Sequence, residues 1–64
     1  MRYYSVHRPI SIGTYPKTKS VREIHNFDYM QYCPEIKRNA WGWIEYDGEL
    51  DSKDADNYEL VKVY

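Results

Sequence analysis

Cysteine is almost absent: Cys33 stands alone, so no intrachain disulfide can staple the 64 residues together. Leucine is nearly as scarce, with only Leu50 and Leu60 present, which rules out a leucine-zipper seam and a leucine-filled helical core. No apolar run approaches the roughly 20 residues that a membrane-spanning helix needs, and residues 1–7 lack the apolar stretch of a secretory leader. With a lone thiol and no such segment, the expectation is a cytoplasmic protein. Neither sign of charge dominates, since nine Lys/Arg face ten Asp/Glu for a net charge of −1. A dedicated nucleic-acid binder is usually basic overall, which places that class second.

What the chain has instead is aromatic rings: eight tyrosines, two tryptophans and one phenylalanine. A domain this small buries only about 60% of the surface that its unfolded chain exposes. Each buried ring removes roughly 150–250 Å² from water, so rings substitute for aliphatic bulk. The expectation is one domain over residues 1–64.

Charge is unevenly laid out. Residues 1–40 hold seven cations (Arg2, Arg8, Lys17, Lys19, Arg22, Lys37, Arg38) against three acids, whereas residues 41–64 hold two against seven. Strands drawn from the two halves would set opposite charges across from one another.

Residues 2–8 are rich in β-formers and stop at Pro9, which predicts a first strand. Pro9, Gly13 and Pro16 make residues 9–20 a loop, in which Ile10, Ile12 and Tyr15 pack on the body and Lys17 and Lys19 mark the solvated end. A short second strand is predicted over 21–27. If it pairs with the first strand, His7 and His25 face each other. Asp28 and Gln31 then resemble a capping box, and Tyr29, Tyr32, Cys33 and Ile36 recur at helical spacing, which predicts helix between 28 and 39. Pro34 either starts that helix or kinks it.

The clearest element is Trp41–Tyr46, where Trp41, Trp43 and Glu45 alternate with Gly42, Ile44 and Tyr46 as in a central strand. Gly42 marks close approach of another backbone or a ring lying across it, and Asp47-Gly48 supplies a turn. Asp51 or Ser52 caps a short helix, and residues 58–64 form a final strand that must pair into a sheet to stay ordered. The fold class is α+β, a small, mostly antiparallel sheet of three to four strands with one or two short helices.

Motifs that carry chemistry are missing. His7, His25 and Cys33 share no metal-ligand spacing, and no local signature joins Cys33 to a base. Asp47, Glu49 and Asp51 match the opening of a calcium loop, but Ser52 stands where glycine is required and Tyr58 where glutamate is required. The acidic run reads as a solvated turn and helix face, or as a phosphate-mimicking patch. No catalytic, cofactor or metal residue is assigned, and the chain reads as non-enzymatic. Tryptophan, tyrosine and arginine dominate binding hot spots, so Trp41, Tyr15, Tyr29 and Arg8 are the candidate partner-binding residues. Trp43, Ile44 and Tyr46 are assigned to the core.

The motifs Tyr3-Tyr4, Arg8-Pro9, Gly13-Thr14-Tyr15-Pro16-Lys17, Asn26-Phe27-Asp28, Tyr32-Cys33, Ala40-Trp41-Gly42 and Tyr58-Glu59-Leu60 together resemble a group of short bacterial proteins found among the cargo genes of mobile elements. That resemblance carries over no activity and no functional residue. It implies a small binding or inhibitory protein. The residues themselves add the expectation of a protein partner, with self-association as an additional mode, and of the final strand or the loop at 9–20 as the contact. The alternative is nucleic-acid binding through Arg2, Arg8 and Arg22 of the basic half.

Overall fold

In the computed structural model, which describes residues 1–63, the chain forms β1 (Arg2–Ser5), β2 (Val21–Cys33), β3 (Arg38–Tyr46), α1 (Ser52–Asn57) and β4 (Leu60–Lys62). The four strands make one sheet in the order β2-β3-β1-β4, and every neighbouring pair is antiparallel. This is the α+β architecture expected from the sequence. β3 sits at the centre because its alternation serves two faces at once: Ala40, Gly42, Ile44 and Tyr46 are buried, while Trp41, Trp43 and Glu45 are half-buried.

One face is covered by α1 and the loop at 9–20. Tyr3, Ile10, Ile44, Tyr46, Leu50, Ala55 and Leu60 form its core, and Tyr15 and Tyr58 pack at the margin. The rings supply the bulk that leucine does not. Tyr3 meets Tyr46 edge to face, with centroids 5.8 Å apart at 85°, a geometry worth roughly 0.5–1.5 kcal/mol beyond area. Both hydroxyls are satisfied: Tyr46 donates to the Pro16 carbonyl (2.7 Å), and Tyr3 accepts from the Leu50 amide (2.8 Å). The loop is ordered as anticipated, with Ile10 buried, but Ile12 is 86% exposed at a turn whose Gly13 has φ 91°. Asn26 clamps the loop to β2, since its side-chain amide donates to the Ile10 carbonyl and accepts from the Ile10 amide, both at 2.8 Å.

The second face is covered by the chain's own hairpin. Tyr4, Val6, Cys33 and Ala40 form a second core, with Phe27, Ile36, Trp43, Val61 and Val63 against it. Cys33 and Ile36 come from the tip of the β2–β3 hairpin, and Tyr4 comes from β1, so the tip curls over the sheet. Two features permit the curl. At Gly42 a Cβ would strike the His25 carbonyl oxygen and lie 2.9 Å from the Asn26 Cα, the close backbone approach expected of this glycine. Between Asn26↔Gly42 and Gln31↔Ala40, residues 27–30 oppose Trp41 alone, a wide bulge that bends the ladder.

The helix expected between 28 and 39 does not form. β2 runs through to Cys33, and Pro34 opens a β-turn closed by the Ile36 amide on the Cys33 carbonyl (3.2 Å), with Lys37 in the left-handed region at φ 56°. Proline fits the second position of such a turn and neither starts nor kinks a helix here. The rings of Phe27, Tyr29 and Tyr32 favour strand, and packing of Cys33 and Ile36 on Tyr4 decides the outcome.

Other expectations are adjusted in detail. The first strand ends at Ser5, where the Ser5 hydroxyl turns to donate to the Arg8 carbonyl. β1 and β2 are not neighbours, because β3 lies between them, so His7 and His25 do not meet. α1 starts after Asp51, as expected, although no side-chain bond caps it. The final strand is shorter than 58–64, and position 64 lies outside the described residues.

Candidate partner-binding surface

The outside of the hairpin bend gathers the largest exposed apolar side chains of the sheet. Tyr29 is 65% exposed, Tyr32 62% and Met30 37%; Tyr29 and Met30 lie in the bulged segment of β2, and Tyr32 follows it where β2 pairs with β3 again. Trp41 is the one β3 residue opposite the bulge, and it is half-buried. Among the described residues, β2 is an edge strand with no partner strand on its outer side. Its tip adds the exposed cations Lys37 and Arg38. The elbow therefore offers rings and a thioether to a partner, with positive charge beside them.

Of the four residues singled out in the sequence, Tyr29 and Trp41 both fall within the register shift between β2 and β3, Tyr29 in the bulge and Trp41 on the strand opposite it. Tyr15 is elsewhere: it packs on the core beneath the 9–20 loop, on the face of Tyr3 and Ile44, whereas Trp41 lies on the other face of β3. Arg8 is also apart, on the bend after β1, where it donates to the Glu59 carboxylate. Met30 and Tyr32 join the surface although the sequence did not point to them as binding residues. The three-residue spacing of Tyr29 and Tyr32 was the available signal, but it also described a helix face.

Trp43 is half-buried and engaged by neighbouring side chains. The Arg2 guanidinium lies 3.8 Å from its ring centroid, and His25 stacks on it at 5.5 Å and 21°, with Phe27 meeting His25 edge-on at 5.4 Å. The ladder Arg2, Trp43, His25, Phe27 spans three strands and already engages the indole ring on which a base would stack. Such cation–π and ring contacts contribute about 0.5–2 kcal/mol each to holding the strands in register.

Charges from the two halves pair across the fold. Arg2 reaches Glu45 (3.3 Å), Arg22 reaches Asp47 (3.3 Å), and Arg8 and His7 share Glu59. Each pair is largely exposed and worth little in stability. Their consequence is electrostatic, because three of the four arginines of the basic half, Arg2, Arg8 and Arg22, each lie against a carboxylate.

Cys33 is buried, and burial first, then the Glu35 carboxylate, push its thiol up, which disfavours the thiolate. Tyr4 donates a 2.6 Å hydrogen bond to Glu35 at the hairpin tip. Burial, and then that bond to a carboxylate, push Tyr4 up to about 12, while the same bond holds the Glu35 carboxyl below its ordinary range. Among the described residues no group of three or more His, Cys, Asp or Glu could hold a metal ion, and no helix is long and apolar enough to cross a membrane.

Fold and surface define a small α+β domain, one face of its sheet covered by a helix and loop, the other by the folded-over hairpin. The chain belongs to the family described as Defence against restriction A C-terminal, which it matches over residues 1–64. That family is associated with phages and mobile elements, as the sequence resemblance implied. No curated protein and no solved structure matches the chain.

Proposed function

We propose that this chain is a non-enzymatic protein-binding or inhibitory module, and that it contributes to defence against restriction by docking on another protein through the β2–β3 elbow. The observation that carries this reading is the exposure of Tyr29, Met30 and Tyr32 within four residues of the edge strand β2, at the bulge opposite Trp41 and directly after it. Rings of this kind dominate binding hot spots because they release much surface from water at low entropic cost. The bulge also keeps the edge from pairing indiscriminately with other strands. The family's description supplies the biological setting, and cytoplasmic residence in a bacterial cell is part of the proposal.

Nucleic-acid binding through the basic half is the less favoured reading. Arg2, Arg8 and Arg22 already lie against Glu45, Glu59 and Asp47. A phosphate backbone would have to displace all three carboxylates, and the Trp43 ring is already engaged by Arg2 and His25.

The test uses tagged chain as bait in lysates of bacteria carrying a restriction system, with and without phage infection. The comparison bait is the Tyr29→Ser/Tyr32→Ser variant, whose side chains lie outside both cores, so its circular dichroism should match the parent. Expected is a discrete protein captured by the parent and at least tenfold depleted with the variant. Equal capture by both baits, or salt-sensitive capture of nucleic acid alone, would overturn the proposal.

A further inference from the structure

The register of β2 with β3 shifts twice, between Val21 and Glu23 and between Asn26 and Gln31, so residues 23–26 form a straight stretch bounded by two interruptions. Which of its main-chain groups are already used follows from the bonds of β3. The Tyr46 amide donates to the Met1 carbonyl (2.8 Å) on the β1 side, and the Asp47 amide donates to the Ser20 carbonyl (2.9 Å) on the β2 side. Main-chain groups alternate in direction along a strand, so Glu45 and Trp43 turn theirs toward β2, and their partners Glu23 and His25 answer them. Ile24 and Asn26 therefore turn amide and carbonyl to the outer edge, where no strand lies among the described residues. The clamp on Ile10 uses the Asn26 side chain, not its main chain. The edge is also poorly covered: all of β2 but Phe27 and Cys33 is exposed, and Ile24 stays 40% exposed although it pairs with the wholly buried Ile44.

Four residues between two interruptions do not suit a long regular strand, which would run into both. They suit a second copy of β2 laid antiparallel about His25. That alignment sets Ile24 opposite Asn26 of the second copy, and Asn26 opposite its Ile24, so every outward amide and carbonyl of the stretch finds a partner. It also sets each interruption against the other, with Arg22 of either copy opposite Asp28 of the other. Glu23 then lies diagonal to His25 of the second copy. The charges of β2 are thus complementary to themselves. Centred on Ile24 instead, the pairing would oppose Asn26 to Arg22 and Asp28 to Ser20, and the charge match would be lost. Arg22 lies against Asp47 in the single chain, but both side chains are more than half exposed, so exchanging that carboxylate for another costs little.

We infer that the outer edge of residues 23–26 is a contact between two copies of this chain, which pair antiparallel about His25 into one continuous sheet with a two-fold axis. The contact is short and buries less than the roughly 1,200 Å² at which stable interfaces begin, so the dimer is weak and depends on concentration. Met30 and Tyr32 of the elbow lie beyond the paired stretch, so this pairing can fail while the elbow reading stands, and the reverse.

The test starts with sedimentation equilibrium of the intact chain from about 10 µM to 1 mM, where a shift from monomer to dimer is expected across the series. Register is read in a mixture of carbon-13-labelled and unlabelled chain, in which an intermolecular contact between the His25 α-hydrogens is expected. Arg22→Asp sets like charges opposite each other on both sides of the axis and should weaken the dimer about fivefold or more, as should Asp28→Arg. Both positions are exposed, so circular dichroism of the variants should match the parent. Arg22→Asp/Asp28→Arg puts opposite charges back in register and should dimerise within about twofold of the parent. The pair with Asp47 is lost in the double variant as in Arg22→Asp, so recovery isolates the contact between copies. A monomer at every concentration, intermolecular contacts that exclude His25, or a double variant no better than the single ones would overturn the inference.

Discussion

Gly42 is the residue on which the bend of the molecule depends. Beside the Asn26 Oδ1, its nearest neighbours on the facing strand are backbone atoms, the His25 carbonyl and the Asn26 Cα, and backbone cannot swing aside as a flexible side chain can. Adding one methyl group therefore forces β2 away from β3 at the point where Asn26 also holds the loop through Ile10. Gly42→Ala should destabilise the fold by ~2 kcal/mol or more, in the range of overpacking strain, read as a lowered urea midpoint at unchanged slope. A loss below about 0.5 kcal/mol would show that the approach relaxes freely. The residue was legible in advance, because a glycine within a strict alternation of large side chains has few explanations other than a close approach. Tyr29 and Trp41 were legible as types suited to binding. Their placement on facing sides of one register shift was not, since four residues of β2 opposing one of β3 leave no mark on residue spacing.

At the scale of elements, the β2–β3 hairpin separates what the sequence shows from what it hides. Strand β3 announces itself by period two, and its two faces are those expected. Residues 28–39 carry apolar side chains at helical spacing, yet they complete a strand, a turn and the start of the next strand. Bulges broke the period of two that would have identified the strand, and the Asp28/Gln31 pair imitated a cap. What decides the hairpin is tertiary: Cys33 and Ile36 bury against Tyr4, and Glu35 accepts the Tyr4 hydroxyl. This docking carries a pH signature. Tyr4 titrates near 10 when unfolded and is pushed up to about 12 in the fold, so the folded state holds the proton more tightly. The contribution is fully present below pH 10 and is lost as pH rises from about 10 toward 12. Burial pushes Tyr46 up as well, in the same direction. The urea midpoint should stay level from pH 7 to about 9.5 and then fall. In Tyr4→Phe the midpoint should start lower, with the bond to Glu35 gone, and fall less steeply above pH 10. An identical alkaline slope in the two proteins would remove Tyr4 from the account.

For the whole molecule, the uneven distribution of charge resolves into pairing between halves. Arg2, Arg8 and Arg22 from the first 40 residues lie against Glu45, Glu59 and Asp47 from the remainder, so a polar sequence folds into a surface with its main arginines matched. What the fold leaves on offer is apolar: the elbow, where Tyr29, Met30 and Tyr32 of the edge strand β2 are exposed. Membership of a family described by defence against restriction gives this surface a setting in which a small module can act by binding alone. The most direct measurement is photo-crosslinking in cells under restriction, with a benzophenone side chain placed at position 29 on the elbow or at position 12 on the exposed turn. Ile12 is the more exposed of the two positions, so it controls for accessibility. The account predicts a discrete protein adduct from position 29 and none from position 12. No adduct from position 29, or the same adducts from both, would contradict it.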